Sequence, residues 1–340
     1  MNYPLVSVVI LNYNGKHWLQ KFLPFYKQTT YPCVQWLIVD NASTDDSVAY
    51  AKAHFTDAEV IQFQENKGFA KGNNDAVPYC KGEYIVFLNS DVELTPNWLE
   101  PLVECMQSNV KIAAVQPKIR SYSQRTYFEY AGACGGFLDL YGIPFCRGRI
   151  FEHCEQDNGQ YDKAIPVFWA TGACMLIRKK VWHHIGGFDE IFFAHMEEID
   201  WCWRAKLAGY EVWCEPKSVV YHVGGGTLSM QHHKKTYLNF RNSLLMLYKN
   251  LPQKKLYTTL LKRLILDGLA GVFYLFKGKV KHVVAIIRAH WHFFGKIREY
   301  KLKRMQVQRL ASQTVELYPK SIVFLRFIKR KKTFSELFKI

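Results

Sequence analysis

Three carboxylates fall within four residues in the run Glu197-Glu198-Ile199-Asp200-Trp201-Cys202-Trp203-Arg204, which follows Gly186-Gly187-Phe188-Asp189-Glu190. Acids set among aromatic side chains cost free energy unless they are paired or at work. On a helix Asp200 and Arg204 stand one turn apart, so they are expected to pair as structural support. Glu197 and Glu198 then sit at the helix N-terminus on different faces. Either could act as a general base if a cleft raises its pKa. A solvated acidic first turn, favoured by the helix dipole, is the plainer alternative. A second acidic site is Asn89-Ser90-Asp91, a D-x-D-like turn with Asn in first place. Its carboxylate is a hard oxygen ligand suited to Mg²⁺ or Mn²⁺ facing a diphosphate. His222, after the apolar run 218–221 and before Gly224-Gly225-Gly226, could complete that metal site.

Other polar groups stand where a nucleotide would need them. One apolar run ends in Asn12-Tyr13-Asn14-Gly15 and the next in Asp40-Asn41. A carboxylate such as Asp40 at a strand tip can accept from a base imide or from ribose hydroxyls. Ser43, Thr44 and Asp45 read as caps for the following helix. In Asn66-Lys67-Gly68-Phe69-Ala70-Lys71-Gly72-Asn73-Asn74, Gly68 would let the backbone approach a ligand. The helix that starts there would favour a diphosphate, with Lys71 and Asn74 on the same segment. With Asn89 these residues form the expected nucleotide site. Neither the Walker nor the dinucleotide glycine spacing is present, which excludes the commonest nucleotide-binding enzymes.

To bring these groups together the chain needs a sheet whose strand ends share one edge. Apolar runs at 6–11, 35–39, 60–64 and 84–88 alternate with helix-compatible stretches at 16–28, 47–53 and 68–79. That alternation predicts an α/β fold, a mostly parallel sheet flanked by helices, with ligands at the carboxyl ends of the strands. Thr95 and Pro96 should open a helix reaching Met106. A strand is expected at 112–116, long loops or a hairpin over 121–162, a strand at 173–177, a helix at 197–208 and a strand at 211–213.

Charge divides the chain. Residues 1–251 hold 24 Lys and Arg against 25 Asp and Glu, whereas residues 252–340 hold 21 against 4. The basic region carries apolar residues at helical spacing, Leu261 to Phe276 and Val280 to Phe294, and predicts two amphipathic helices. Such a tail seeks a polyanion. Nucleic acid would leave Asp91, Glu197, Glu198 and the strand-end residues without a role, so an anionic membrane surface is the preferred partner. Nine cysteines form no CxxC pair and read as reduced thiols. No signal peptide and no apolar stretch long enough to span a bilayer are expected.

The order of these motifs resembles the family 2 glycosyltransferases of GT-A fold, in particular the bacterial rhamnosyltransferase-like enzymes. The matching pieces are VSVVILNYNG, IVDNASTDDS, NKGFAKGNN, FLNSDVEL, TGACMLIRKKVWHHIGGFDEIFFAHMEEIDWCWR and the later YH before GGG, over residues 5–250. The resemblance implies a catalytic domain at 1–250; the basic amphipathic helices of 251–340 lie outside it and are expected to associate with membrane or to form a homodimer. It places Asp40 at the base, Asp91 and His222 at a Mn²⁺ or Mg²⁺ ion, and Glu198 as the base of an inverting transfer. Family members usually carry Asp where this chain has Glu198, which leaves Glu197 in contention. The donor would be a nucleotide-diphosphate sugar and the acceptor a glycan or lipid-linked glycan. Single-sugar transfer is expected, since the Gln-x-x-Arg-Trp signature of processive relatives is absent. The enzyme would be cytoplasmic and peripherally bound to the inner face of the cell membrane.

Overall fold

The computed structural model of the chain describes residues 3–224 and 233–338. Gly225 and Gly226 of the glycine run lie outside the described residues. The first apolar runs become strands because they are rich in β-branched residues and bounded by polar turns. β1 (Val6–Asn12), β2 (Val34–Asp40), β3 (Ala58–Gln62) and β4 (Tyr84–Asn89) alternate with α1 (Lys16–Tyr26), α2 (Ser47–His54) and α3 (Gly68–Ala76). These strands pair in parallel in the order β3-β2-β1-β4. Val9, Leu37, Val39, Ile85 and Phe87 join one apolar cluster, and Val8, Ile10, Ile38, Val86 and Leu88 join another. That period-two division means both faces of the sheet are covered, which is why the strands read as nearly unbroken apolar runs.

Beyond β4 the sheet becomes mixed. The chain continues through β5 (Val92–Leu94), α4 (Leu99–Ser108) and β6 (Ile112–Ser121). A small antiparallel sheet follows, made of β7 (Gly136–Leu138), β8 (Pro144–Cys146), β9 (Arg149–Ile150) and β10 (His153–Cys154). This gives the stretch expected as loops or a hairpin its own hydrogen-bonded framework. After β11 (Ile165–Val167) and β12 (Cys174–Arg178) come α5 (Lys179–Ile185), α6 (Glu197–Leu207) and β13 (Glu211–His222). β12 lies antiparallel between β4 and β6, and β13 pairs with β6, β5 and β11. The expected parallel order therefore holds for β1 to β4; beyond them β12 is antiparallel to both its neighbours, and β13 is parallel to β6 but antiparallel to β5 and β11.

Two elements differ from the sequence reading in ways that matter for the site. The helix expected from Pro96 starts at Leu99, and Thr95 does not cap it. Its hydroxyl donates instead to the Val219 carbonyl at 2.8 Å. The strand expected at 211–213 runs on to His222, with a register shift between Glu215 and Val219 that accommodates Pro216. That extension sets His222 opposite Val92.

The remaining helices are α7 (His233–Asn250), α8 (Gln253–Phe276), α9 (Val280–Gly295), α10 (Ile297–Leu310) and α11 (Phe334–Phe338). The two expected amphipathic helices are α8 and α9. The change of composition at Leu251 is not a break in packing, because Leu256, Phe293, Tyr300, Ile322 and Phe334 belong to the same apolar cluster as Val9 and Phe87. Phe334 and Phe338 pack their rings on Phe137 and Phe145 of the small sheet. Among the described residues no helix is long and apolar enough to cross a membrane.

Candidate active site

Parallel strands end on one edge, so Asn12, Asp40 and Asn89 become neighbours; Asn12 is in register with Asp40 and Leu11 with Asn89. Asp40 is 1% exposed. Its carboxylate accepts from the Asn12 amide at 3.2 Å and from the Ser43 backbone N–H at 2.9 Å. Both oxygens keep further lone pairs, so the group is oriented but still able to accept. Asn12 Oδ1 is buried without a partner. Asn14, at φ 48°, accepts from the Thr44 N–H at 2.7 Å and so laces the two strand-end loops together. Asp45 caps α1 by accepting from Lys16 N at 3.0 Å, and it also accepts from Ser47 N at the start of α2. Asn41 accepts from Lys67 N at 2.9 Å and donates to the Gly68 carbonyl at 3.1 Å, which makes it a strut under the next loop.

That loop does something other than expected. The amides of Phe69 and Ala70, at the N-terminus of α3, donate to the Phe193 carbonyl at 2.8 and 3.2 Å. The positive end of the helix thus holds a protein carbonyl where a diphosphate was anticipated. Gly68, at φ +73°, is required by the contact, since a Cβ there would lie 2.6 Å from the Phe193 ring. Asn74 is likewise engaged, donating to the Phe188 carbonyl at 2.8 Å and accepting from its N–H at 2.9 Å. Lys71 pairs with Asp75 at 3.3 Å and with Glu190 at 3.4 Å. Gly68, Lys71 and Asn74 therefore serve the segment 187–193.

Asp91 and His222 do meet, although 131 positions separate them. His222 Nε2 lies 3.1 Å from Asp91 Oδ1, and Nδ1 lies 3.1 Å from Glu129 Oε2. All three residues are buried. Burial opposes charge on the imidazole, but the flanking carboxylates outweigh it and hold the His222 pKa well above its ordinary value. Once Nε2 gives up its proton, the adjacent Asp91 carboxylate and His222 imidazole would fit a divalent cation of the Mg²⁺ or Mn²⁺ kind. Glu129 on the far nitrogen supplies the orienting partner such a ligand usually has. Among the described residues no group of three acidic, His or Cys side chains could hold a metal unaided. Asp91 and His222 would then be the protein's two ligands, with diphosphate oxygens and water completing the sphere.

Glu197 and Glu198 open α6, each with a buried Oε2 that has no hydrogen-bond partner. Burial, reinforced by Glu198, keeps the Glu197 carboxyl protonated well above the usual carboxylate range. Burial also raises Glu198, to about 7, with backbone amides of the first turn partly offsetting it. Of the two, Glu198 is the group able to exchange a proton near neutrality. The segment leading into it is strained: Phe193, His195 and Met196 all have positive φ, at 63°, 70° and 75°. Non-glycine residues hold such angles only when their surroundings enforce them.

Here α7 enforces them. Asn242 Nδ2 faces the carbonyls of Phe192, Ala194 and His195 at 3.1, 2.9 and 2.7 Å. Arg241 donates to Ile191 and Phe192 carbonyls at 2.8 and 3.1 Å. Further along α7, Lys249 lies between Asp189 and Asp200 at 2.7 and 2.9 Å, and Asn250 donates to Asp200 at 2.8 Å. The expected pair is present, with Arg204 Nε 3.0 Å from Asp200, and Arg204 also donates to the Gly187 carbonyl at 2.6 Å. Sequence reasoning missed Glu129, Arg241, Asn242 and Lys249. The last three had a signal: Arg241-Asn242 and Lys249-Asn250 flank the apolar run 244–247 of α7, and all of these residues are buried.

The model of the family described as glycosyl transferase family 2 matches residues 7–186. Among curated relatives, the N-acetylglucosaminyl-diphospho-decaprenol L-rhamnosyltransferase of Mycobacterium tuberculosis is 25% identical over 255 residues, covering 69% of this chain and 83% of its own. The low-salt glycan biosynthesis hexosyltransferase Agl10 of Haloferax volcanii is 24% identical over 296 residues, covering 84% and 90%. Among solved structures, GalNAc-T7 with UDP, GalNAc and Mn²⁺ superposes with TM-score 0.58 at 15% identity, covering 73% of this chain and 48% of its own. The mannosyltransferase PcManGT of Pyrobaculum calidifontis, in complex with GDP-Man and Mn²⁺, superposes with TM-score 0.53 at 15% identity, covering 91% and 86%.

Proposed function

The chain belongs to glycosyl transferase family 2, with the GT-A fold, and is a glycosyltransferase; on that premise we propose that it transfers one sugar, with inversion, from a UDP- or dTDP-sugar to a hydroxyl of a lipid-linked glycan. The observation that carries this reading is the pairing of a convergent Asp91–His222 site with a carboxyl, Glu198, held near neutrality by burial. Asp40 and the Asn12–Asn14 turn would receive the base and ribose, and Asn89 lies beside them at the end of β4. Asp91 and His222 would hold Mn²⁺ or Mg²⁺, which when bound neutralises charge on the departing diphosphate. Glu198 takes the proton of the acceptor hydroxyl as its oxygen bonds to the anomeric carbon. The bond from that carbon to the diphosphate oxygen breaks, and its electron pair leaves with the nucleotide.

The relative from Mycobacterium tuberculosis bears a name specifying rhamnose and a polyprenyl diphosphate acceptor. That name supports a deoxyhexose donor and a lipid-linked acceptor here. We accordingly place the reaction at the inner face of the cell membrane. Residues 1–250 carry the proposed site, and the helices after them carry the association with the membrane or with a second subunit.

Calorimetric titration with UDP and dTDP, each with and without Mn²⁺, tests the site. Binding that needs the metal and disappears in Asp91→Asn is expected, and the tighter nucleotide identifies the donor. Equal binding by Asp91→Asn would remove the metal site from this account. Glu198→Gln should bind donor normally yet fail to transfer.

A further inference from the structure

α8 carries apolar residues on its outer as well as its inner face. It buries Arg263, Asp267 and Gly271 towards the body, with Arg263 Nε 2.7 Å from Asp267 and His290 Nε2 3.1 Å from the same carboxylate. Leu256, Leu260 and Leu264 pack on the body, but a second apolar row faces outwards: Leu261, Ile265, Leu269, Phe273 and Phe276 recur one turn apart, and Phe276 is 88% exposed. α9 repeats the pattern with Val280, Val284, Ile287 and Trp291, the last 84% exposed, while Ala285, Ala289 and Phe293 face inwards. Water is a poor neighbour for two adjoining apolar ridges of this length.

The charges beside those ridges name the neighbour. Residues 253–295 contain eight Lys and Arg against one acid, and that acid, Asp267, is the buried one. Lys277, Lys279 and Lys281 are exposed at the turn between the helices, next to Phe276 and Val280. A second copy of the chain would set this cationic surface against itself. Nucleic acid would match the charge and leave the apolar ridges in water. An anionic bilayer satisfies both, with side chains in the acyl boundary and lysines at the phosphates.

We propose that the α8–α9 hairpin is a monotopic docking element that lies in the surface of an anionic membrane, with Phe276 and Trp291 inserted and Lys277, Lys279 and Lys281 at the headgroups. This rests on the membrane placement given above, and adds the surface and the lipid class. The hairpin packs on α7, with the Tyr237 hydroxyl bonded to His292 and Thr236 to His282. The helix that splints the loop before Glu198 is thus also the helix on which the docking element rests.

Flotation of the full chain with vesicles of phosphatidylcholine alone, or mixed with phosphatidylglycerol, tests the proposal. The chain should float with the anionic vesicles and be released by salt. Phe276→Ser and Trp291→Ser should each weaken partition roughly tenfold, as burial of a large side chain predicts. Replacing Lys277, Lys279 and Lys281 with Gln should weaken it roughly a hundredfold, at about fivefold per charge. Binding of the nucleotide and Mn²⁺ should be unchanged in every variant, which shows that they fold. Partition indifferent to these substitutions would overturn the proposal. So would a vesicle-free dimer in solution that the same substitutions dissolve, or retention on DNA that outcompetes the vesicles. Nucleotide binding lost from a wild-type chain that still floats would sink the transferase reading and leave docking intact.

Discussion

Ionising Glu198 costs the folded chain free energy, so as the proposed base this residue would couple stability to activity with opposite signs. Its carboxyl titrates near 7 in the fold and at the ordinary 4.5 when unfolded. Across that interval the folded state binds the proton more tightly, so stability declines as pH rises while the ionised fraction of the proposed base grows. Glu198→Gln imitates the protonated form. It should lower transfer by roughly 10² to 10⁴-fold and raise stability at pH 8 by about 2 kcal/mol, allowing for partial exposure. Chemical denaturation at pH 8 and pH 4 checks this, because the gain must vanish at the lower pH. Glu197 is already held protonated. Glu197→Gln should therefore keep transfer within about tenfold of wild type, and a larger loss would move the base to Glu197.

At the scale of elements, α6 can present Glu198 only while the positive-φ residues before it are held. Each such angle costs on the order of 1–3 kcal/mol, and Asn242 faces three of the carbonyls concerned. Asn242→Ala should lower kcat about tenfold or more and leave the affinity for nucleotide and Mn²⁺ near wild type. Steady-state kinetics beside calorimetry distinguishes this from general unfolding, which would abolish both. The same contact marks where the sequence could be read and where it could not. Asp91, His222 and the two glutamates were nameable from residue type and local spacing. Gly68 and Asn74 read as ligands in the sequence because their partners in the fold, Phe193 and Phe188, lie more than a hundred residues away. A glycine before a helix looks alike whether it admits a phosphate or a carbonyl.

Over the whole molecule, buried charge joins the C-terminal helices to the catalytic half. Lys249 stands between Asp189 and Asp200, and Lys303 reaches Asp189 from α10 at 2.7 Å. Burial opposes the ionisation of Asp189, yet the two lysines outweigh it and hold its carboxyl below the usual range. Removing one member leaves the others uncompensated, so Lys249→Met should destabilise the chain by about 3–5 kcal/mol in urea titration. Asp189 contributes stability above the ordinary carboxylate range and loses it as pH falls through and below that range. Wild type should therefore weaken in acid more steeply than Lys249→Met. The division of the chain by charge at Leu251 was plain in the composition. That residues beyond it complete the apolar core was not, because Tyr300 and Phe334 are scattered aromatics whose partners lie far back in the chain.

The splint from α7 has a consequence for how the molecule comes into being. During synthesis the strands that would receive the nucleotide emerge first and can pair early. The loop of residues 191–195 has no reason to adopt its strained path until Arg241 and Asn242 have left the ribosome and docked. A nascent chain would therefore hold the strand ends proposed to receive base and ribose long before the proposed base, Glu198, is aligned. On the proposed mechanism, sugar transfer would then be withheld from the unfinished protein by the order of its own sequence.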